Sequence, residues 1–297
     1  MPVFFSDAFN DVTIHFDTFM KAVALHEHLR AAGLTGLTFG APRALTVAEL
    51  CTVHARAYVD AVAVGEPLDL AASNGVDWDP GLLTAAATSS GGVVEAALHV
   101  LEHGGFAGSL SSGLHHARRG AGAGYCTFNG LALAAFAARR AGAGRVLVLD
   151  LDAHCGGGTA SLIEGTTGIE QVDVSVSPYD EYRSTDQARL ILSGGAAYLD
   201  DVEAALAAIA SPGSIDLVLY NAGMDAHAEA GGGSRGVSTE VLAAREQMVF
   251  GWAASHGLPV AWVPAGGYTS GGLSLDEVCG LHRLTAEAAL HHLGLAA

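Results

Sequence analysis

Asp150, Asp152 and His154 occupy alternate positions in the run Asp150-Leu151-Asp152-Ala153-His154. If that run stays extended, their side chains point the same way. Carboxylate oxygen with imidazole nitrogen suits Zn²⁺, and Fe²⁺ or Co²⁺ as well. A catalytic zinc takes about three protein ligands and keeps one position open. Asp152 and His154 supply two, and Asp225, in Asn221-Ala222-Gly223-Met224-Asp225, is the natural third. Asp150 then sits one step deeper, placed to orient a neighbour rather than to bind the ion. His115-His116 is a vicinal imidazole pair. Hydrolysis of an amide by metal-activated water needs a base for the water and an acid for the leaving amine, and two imidazoles with different partners can be tuned to those tasks. Tyr268 follows Gly266-Gly267, and its hydroxyl could stabilise an oxyanion opposite the metal. Each piece alone also has a plain explanation: loop polarity, solvated histidines, a packing tyrosine.

All of these residues need to be brought to one place, and the surrounding pattern says how. Short apolar runs occur at Val146–Leu149, Leu217–Tyr220 and Val260–Val263, with a weaker one at Gly105–Leu110. Alanine-rich helical stretches are expected at roughly 128–141, 198–210 and 238–256. Strand and helix alternating, with strands apolar on both faces, predict a parallel sheet covered by helices on both sides. Each strand run is followed at once by one of the polar or glycine-rich segments. In a parallel sheet those loops share the carboxyl edge, where open α/β sheets hold their sites. Thr46…Glu49 and Ser274…Glu277 have capping-box spacing and mark helix starts. No composition break or repeat divides the chain, so the expectation is one α/β domain over residues 1–297 with a helical N-terminal third.

Composition narrows the partners. The 297 residues carry 31 acidic and 14 basic side chains, a formal charge of −17, and half are hydrophobic. Such a chain can bury a large core and repels phosphate backbones, which argues against nucleic-acid binding. A cationic substrate such as a peptide lysine or a polyamine would be attracted. Cys51, Cys126, Cys155 and Cys279 form no C-x-x-C pair and suggest no disulfide framework, which fits a reducing, cytoplasmic location. The start lacks a basic region and is soon interrupted by Asp7 and Asp11, unlike a signal peptide. No uncharged apolar stretch reaches the ~20 residues of a membrane span.

Taken in order, five segments resemble the histone deacetylase family, within the arginase–deacetylase fold. They are Gly113-Leu114-His115-His116-Ala117, Gly124-Tyr125-Cys126-Thr127-Phe128-Asn129, Asp150–His154 with Gly156 and Gly158, Asn221–Asp225, and Gly266-Gly267-Tyr268. Coverage runs from about residue 45 to the end, and Val53-His54 with Tyr58-Val59 is similar to the family's N-terminal helix. The Asp-Leu-Asp-Ala-His form and Tyr220-Asn221-Ala222-Gly223 look closest to the class IV branch, with bacterial-type deacetylases and acetylpolyamine amidohydrolases as relatives. The resemblance implies zinc-dependent hydrolysis of an N-acyl amide, with Asp152, His154 and Asp225 as metal ligands. It implies His115 and His116 as the paired histidines, His116 being the general base, and Tyr268 as the carbonyl-polarising tyrosine. Asp150 matches the carboxylate that bonds His115 and often also binds a structural potassium ion. Gly124 and Tyr125 match the wall of the acyl-lysine channel.

Two segments depart from that pattern. Most members follow the ligand histidine with histidine-glycine-aspartate-glycine, but here the run is Cys155-Gly156-Gly157-Gly158. Gly157 stands where a carboxylate, or an asparagine in class IV, would contact the second histidine, so His116 is expected to lack that partner. After Asp225 the loop is longer and glycine-rich, and His227 and Glu229 are read as solvated rim residues. Cys155 is read as a packed thiol, and His282, His291 and His292 as helix-surface residues. Asp77-Trp78-Asp79 and Tyr179-Asp180-Glu181-Tyr182 are expected to form an acidic, aromatic rim. Acyl-lysine peptides, acetylated polyamines and longer acyl-lysines all suit one catalytic core, and oligomeric state is not legible. A two-manganese ureohydrolase of the same fold would need a carboxylate where Gly156 stands. A non-catalytic binder of acyl ligands is the other alternative, motivated by Gly157.

Overall fold

The computed structural model describes residues 1–13 and 17–295. Along the chain run β1 (Pro2–Phe4), α1 (Asp17–Ala31), β2 (Thr38–Gly40), α2 (Val47–Leu50), α3 (Arg56–Val64), α4 (Leu68–Ala71) and α5 (Leu82–His103). Then come β3 (Phe106–Ser109), α6 (Gly130–Arg140), β4 (Val146–Asp150), α7 (Gly157–Ile163), β5 (Ile169–Ser175) and β6 (Ala188–Leu192). The remainder is α8 (Tyr198–Ala207), β7 (Leu217–Ala222), α9 (Thr239–Ser255), β8 (Val260–Pro264) and α10 (Leu275–His292). The N-terminal third is helical apart from the three-residue strands β1 and β2.

Among the described residues, eight strands form one sheet in the order β2-β1-β3-β8-β7-β4-β5-β6. Every pairing in it is parallel. The central strands show why both faces must be covered. Leu147 and Leu149 of β4, Val218 and Tyr220 of β7, and Val260 and Trp262 of β8 enter one apolar cluster, with α1, α8, α9 and α10. Their alternate neighbours Val146 and Val148, Leu217 and Leu219, and Ala261 and Val263 enter the other, with α3, α5, α6 and α7. A two-residue period feeding two cores is what a strand buried on both faces requires.

Both expected capping boxes form. Thr46 and Glu49 close one at the start of α2, and Ser274 and Glu277 close the other at α10. The expected helices at 128–141, 198–210 and 238–256 appear as α6, α8 and α9, each within a few residues. Four strands are not in the sequence reading: β1 and β2 form one edge of the sheet, and β5 and β6 extend it beyond β4. Among the described residues no helix is long and apolar enough to cross a membrane.

Candidate active site

The loops leaving β3, β4, β5, β7 and β8 meet at the carboxyl edge of the sheet. β4 ends at Asp150 in register with Asn221 of β7, and the chain then bends. The segment carrying Asp152 and His154 is therefore not a continuation of the strand, yet its side chains still reach one point. Asp152, His154 and Asp225 each offer a ligand atom, all within 4.8 Å of one another. His154 Nδ1 lies 3.2 Å from Asp152 Oδ1 and 3.1 Å from Asp225 Oδ2. Main-chain amides fix the two carboxylates. Gly266 N donates to Asp152 Oδ2 (2.6 Å), and Ala153 N donates to Asp225 Oδ1 (2.9 Å). Position 266 must be glycine, since a Cβ there would stand 2.0 Å from Asp225 Oδ2.

One atom is left over. Asp225 Oδ2 is buried, and beyond the approach of His154 Nδ1 at 3.1 Å it has no hydrogen-bond donor among the described residues. A buried carboxylate oxygen without a donor is costly, and a cation relieves that cost. Two carboxylates and one imidazole match the three-ligand set of a catalytic divalent ion of the zinc type, so the residues fit such an ion.

Beneath this cluster, Asp150 stays out of it. Its Oδ2 accepts from His115 Nδ1 (2.8 Å), and its Oδ1 accepts from Asn221 Nδ2 (2.8 Å). Burial by itself would lower the His115 pKa, but the carboxylates of Asp150, Asp152 and Asp173 outweigh it and raise the value to about 10. His116 goes the other way. Burial, and then the charge of His115, bring it down to about 4 against the pull of Asp180. The two rings face each other with Nε2 atoms 3.1 Å apart. One imidazole is thus held cationic and its neighbour neutral, the separation an acid–base pair needs.

The expectation that His116 lacks a partner is overturned. Its Nδ1 donates to Asp180 Oδ2 at 2.9 Å, and Asp180 arrives from the segment between β5 and β6 rather than from α7. The missing residue left a signal in Gly157, but which segment compensates is a matter of three dimensions. Asp173 was missed altogether. It lies buried on β5 in register with Asp150 and accepts from Gly156 N (2.7 Å).

A cleft of about 510 Å³ opens over the cluster, lined by His116, His154, Gly124, Tyr125, Tyr179, Gly231 and Tyr268, with Asn74, Gly75 and Ser270 at its edge. Tyr179 stands edge-on to both His116 and His154, with ring centroids at 4.9 Å and 5.8 Å. Buried Lys21 donates to the Ala265 carbonyl and places its ammonium 5.6 Å from the Tyr268 ring centre.

The acidic rim does not form. Asp79 is buried and accepts from Thr13 and Gly81, and Trp78 donates to the Val62 carbonyl. Neither lines the cleft, and nor does Asp77. His227 is buried rather than solvated, bonded to Thr239 (3.1 Å) and to the Glu229 amide (3.2 Å). His282 is likewise buried in α10, whereas His291 is exposed. Cys155 is a packed thiol 3.3 Å from the Ser177 carbonyl, with burial pushing its pKa up to about 12.

The chain is similar to known proteins. The histone deacetylase domain matches residues 15–278. An uncharacterised protein of Picosynechococcus is 31% identical over 243 residues, covering 80% of each chain. A probable deacetylase of Methanothermobacter thermautotrophicus is 28% identical over 278 residues, covering 84% of this chain and 80% of the relative. Among solved structures, the HDA15 HD domain superposes with a TM-score of 0.81 at 20% identity, covering 99% of this chain and 92% of the other. An acetylpolyamine aminohydrolase from Burkholderia pseudomallei superposes with a TM-score of 0.80 at 21% identity, covering 98% of both. At these identities the structural likeness speaks for the fold alone.

Proposed function

Because this chain belongs to the histone deacetylase family and has its arginase–deacetylase fold, we propose that residues 1–297 form one catalytic domain that hydrolyses N-acyl amides of the acetyl-lysine type. The observation that carries this reading is the buried Asp225 oxygen that no amide or hydroxyl satisfies, beside Asp152 and His154 and under a neutral His116. Asp152, His154 and Asp225 would hold a zinc-type ion, which supplies Lewis-acid polarisation of the carbonyl and a lowered pKa for water. Fe²⁺ suits the same ligands.

The chain's own groups do the rest. Asp180 takes the Nδ1 proton bond of His116, which leaves Nε2 as the basic nitrogen. His116 is then the base that receives a proton from water and the acid that returns it to the leaving amine. His115, held cationic by Asp150, stands with its Nε2 3.1 Å from His116 Nε2, and its charge keeps that imidazole neutral. Tyr268 supplies a hydroxyl to the carbonyl oxygen as negative charge develops there. Gly124, Tyr125 and Tyr179 wall the cleft around the methylene stem. Among the described residues, no aspartate or glutamate lines the cleft. This favours acyl-lysine over an acetylated polyamine, whose second ammonium would find no carboxylate there.

The test is an acyl-amine panel on zinc-loaded protein: acetyl- and longer acyl-lysine peptides beside N-acetylated polyamines, with a hydroxamate inhibitor and a chelator as controls. Chelator-sensitive acetate release from the lysine peptides is the expected result. Preferential cleavage of the polyamines would reassign the substrate, and ligand binding without turnover would leave only the non-catalytic binder.

A further inference from the structure

Asp180 sits in the segment joining β5 to β6, at φ 61. Aspartate is one of the few side chains that tolerate this left-handed conformation, and such backbone is kept where the surroundings demand it. Its carboxylate is nearly buried and fully bonded. Oδ2 accepts from His116 Nδ1 (2.9 Å) and from the Gly158 amide (3.1 Å), and Oδ1 accepts from the Arg118 guanidinium. Arg118 also reaches the Gly157 carbonyl at 3.2 Å, so it staples this segment to the start of α7. Gly157 makes the arrangement exclusive. A Cβ at that position would lie 2.3 Å from the Asp180 carbonyl oxygen and 2.8 Å from its Oδ1. A side chain at 157 and the main chain at 180 compete for one volume.

We propose that Asp180 is the positioning residue of His116, delivered by the β5–β6 segment to the place a side chain at position 157 would otherwise fill, with Arg118 as its anchor. Three donors point to it, the His116 Nδ1 proton, the Gly158 amide and the Arg118 guanidinium, and the bare position 157 leaves it room. Asp180 does not touch the reacting atoms. It fixes which ring nitrogen of His116 carries the proton, so that Nε2 is left unprotonated. This rests on the reading of His116 as the proton carrier.

The experiment pairs kinetics with histidine ¹⁵N NMR, which reports the tautomer of each ring whether or not any substrate is turned over. In the wild type His116 should show a single Nδ1–H form. In Asp180→Ala it should become a mixture. The kcat should fall ~10–100-fold, the usual cost of losing the group that orients a working imidazole, with KM changed by less than about twofold. Gly157→Ala, whose methyl would stand 2.3 Å from the Asp180 carbonyl oxygen and 2.8 Å from its Oδ1, displaces the intact carboxylate and should give the same tautomer change. It keeps the idea testable should Asp180→Ala fail to fold. Glu181→Ala removes an exposed acid from the same segment and should match the wild type. An unchanged His116 tautomer in both Asp180→Ala and Gly157→Ala overturns the proposal. A tautomer change in a wild-type background that hydrolyses no acyl amine upholds it and refutes the functional reading instead.

Discussion

Acid should destabilise this chain through one buried imidazole. His54 is 1% exposed, just beyond α2, and both of its nitrogens are used. Nε2 accepts the Asn129 amide (3.0 Å), so Nδ1 must carry the proton that is donated to the Arg118 carbonyl (2.9 Å). Burial, with a smaller contribution from the charge of Arg119, holds its pKa at about 4 instead of 6.5, against the opposing bond to Arg118. Between those two values the unfolded chain binds a proton that the folded chain refuses. Stability is therefore complete above about pH 6.5 and is lost as the pH falls toward 4. The gap corresponds to about 3 kcal/mol at most, out of a total on the order of 5–15 kcal/mol. His54→Gln keeps an acceptor for the Asn129 amide and removes the titration. Urea unfolding of both proteins at several pH values from 7 to 4 isolates the term, because His116 and His282, whose pKa values are also lowered, are present in both. The wild type should lose about 2–3 kcal/mol more than the variant over that range, moving its midpoint by ~1–2 M relative to it. Parallel curves would show that His54 is not held neutral in the fold, and the reasoning would fail.

Three further outcomes are expected. Tyr268→Phe should lower turnover by ~10²-fold or more with metal content unchanged by elemental analysis; unaltered turnover would remove the tyrosine from the chemistry. Gly266→Ala brings a methyl to 2.0 Å from Asp225 Oδ2 and 2.6 Å from Asp152 Oδ2, and zinc affinity measured by competition with a chelating dye should drop ~10–100-fold. Arg245 is buried and bonded to Glu246, Tyr198 and the Leu151 carbonyl. Arg245→Met should cost about 3–5 kcal/mol in chemical denaturation by stranding Glu246, and the double change with Glu246→Leu should recover most of it.

How much of this was legible follows from where the physics is local. β4, β7 and β8 are apolar on both faces and announce themselves, and the loops at their carboxyl ends carry the metal cluster and Tyr268, while the histidine pair follows the weaker β3. The capping boxes are local and formed as expected. β5 was missed because Ile169–Ser175 includes Glu170, Gln171 and Asp173, which read as a loop. Only the tertiary structure reveals that Asp173 is buried under Asp150. His282 was read as surface because its helix carries histidines on several faces, and nothing in the spacing says which face meets the sheet. Asp77 and Asp79 were placed at the rim from composition alone, which carries no coordinates. The partner of His116 was invisible for the same reason: the gap at Gly157 is local, and the residue that fills it is not.

These corrections bear on how substrate is selected. The formal charge of −17 suggested attraction of cations into the site. Yet every aspartate placed near the cleft is already committed to a neighbour: Asp150 to His115 and Asn221, Asp173 to Gly156, Asp180 to His116 and Arg118. Asp152 and Asp225 converge on the His154 imidazole. Those charges set proton positions and metal affinity at distances near 3 Å, where they are strong, and have little left to offer an ammonium at the mouth. Apart from buried Asp79 and Glu246, the remaining described acids are exposed or half-buried, and their field is screened within about 8–10 Å at ordinary salt. On the proposed reading, discrimination among acyl amines falls to shape, set by Tyr125, Tyr179 and the glycines that line the cleft, so stem length should order the substrates more strongly than their charge.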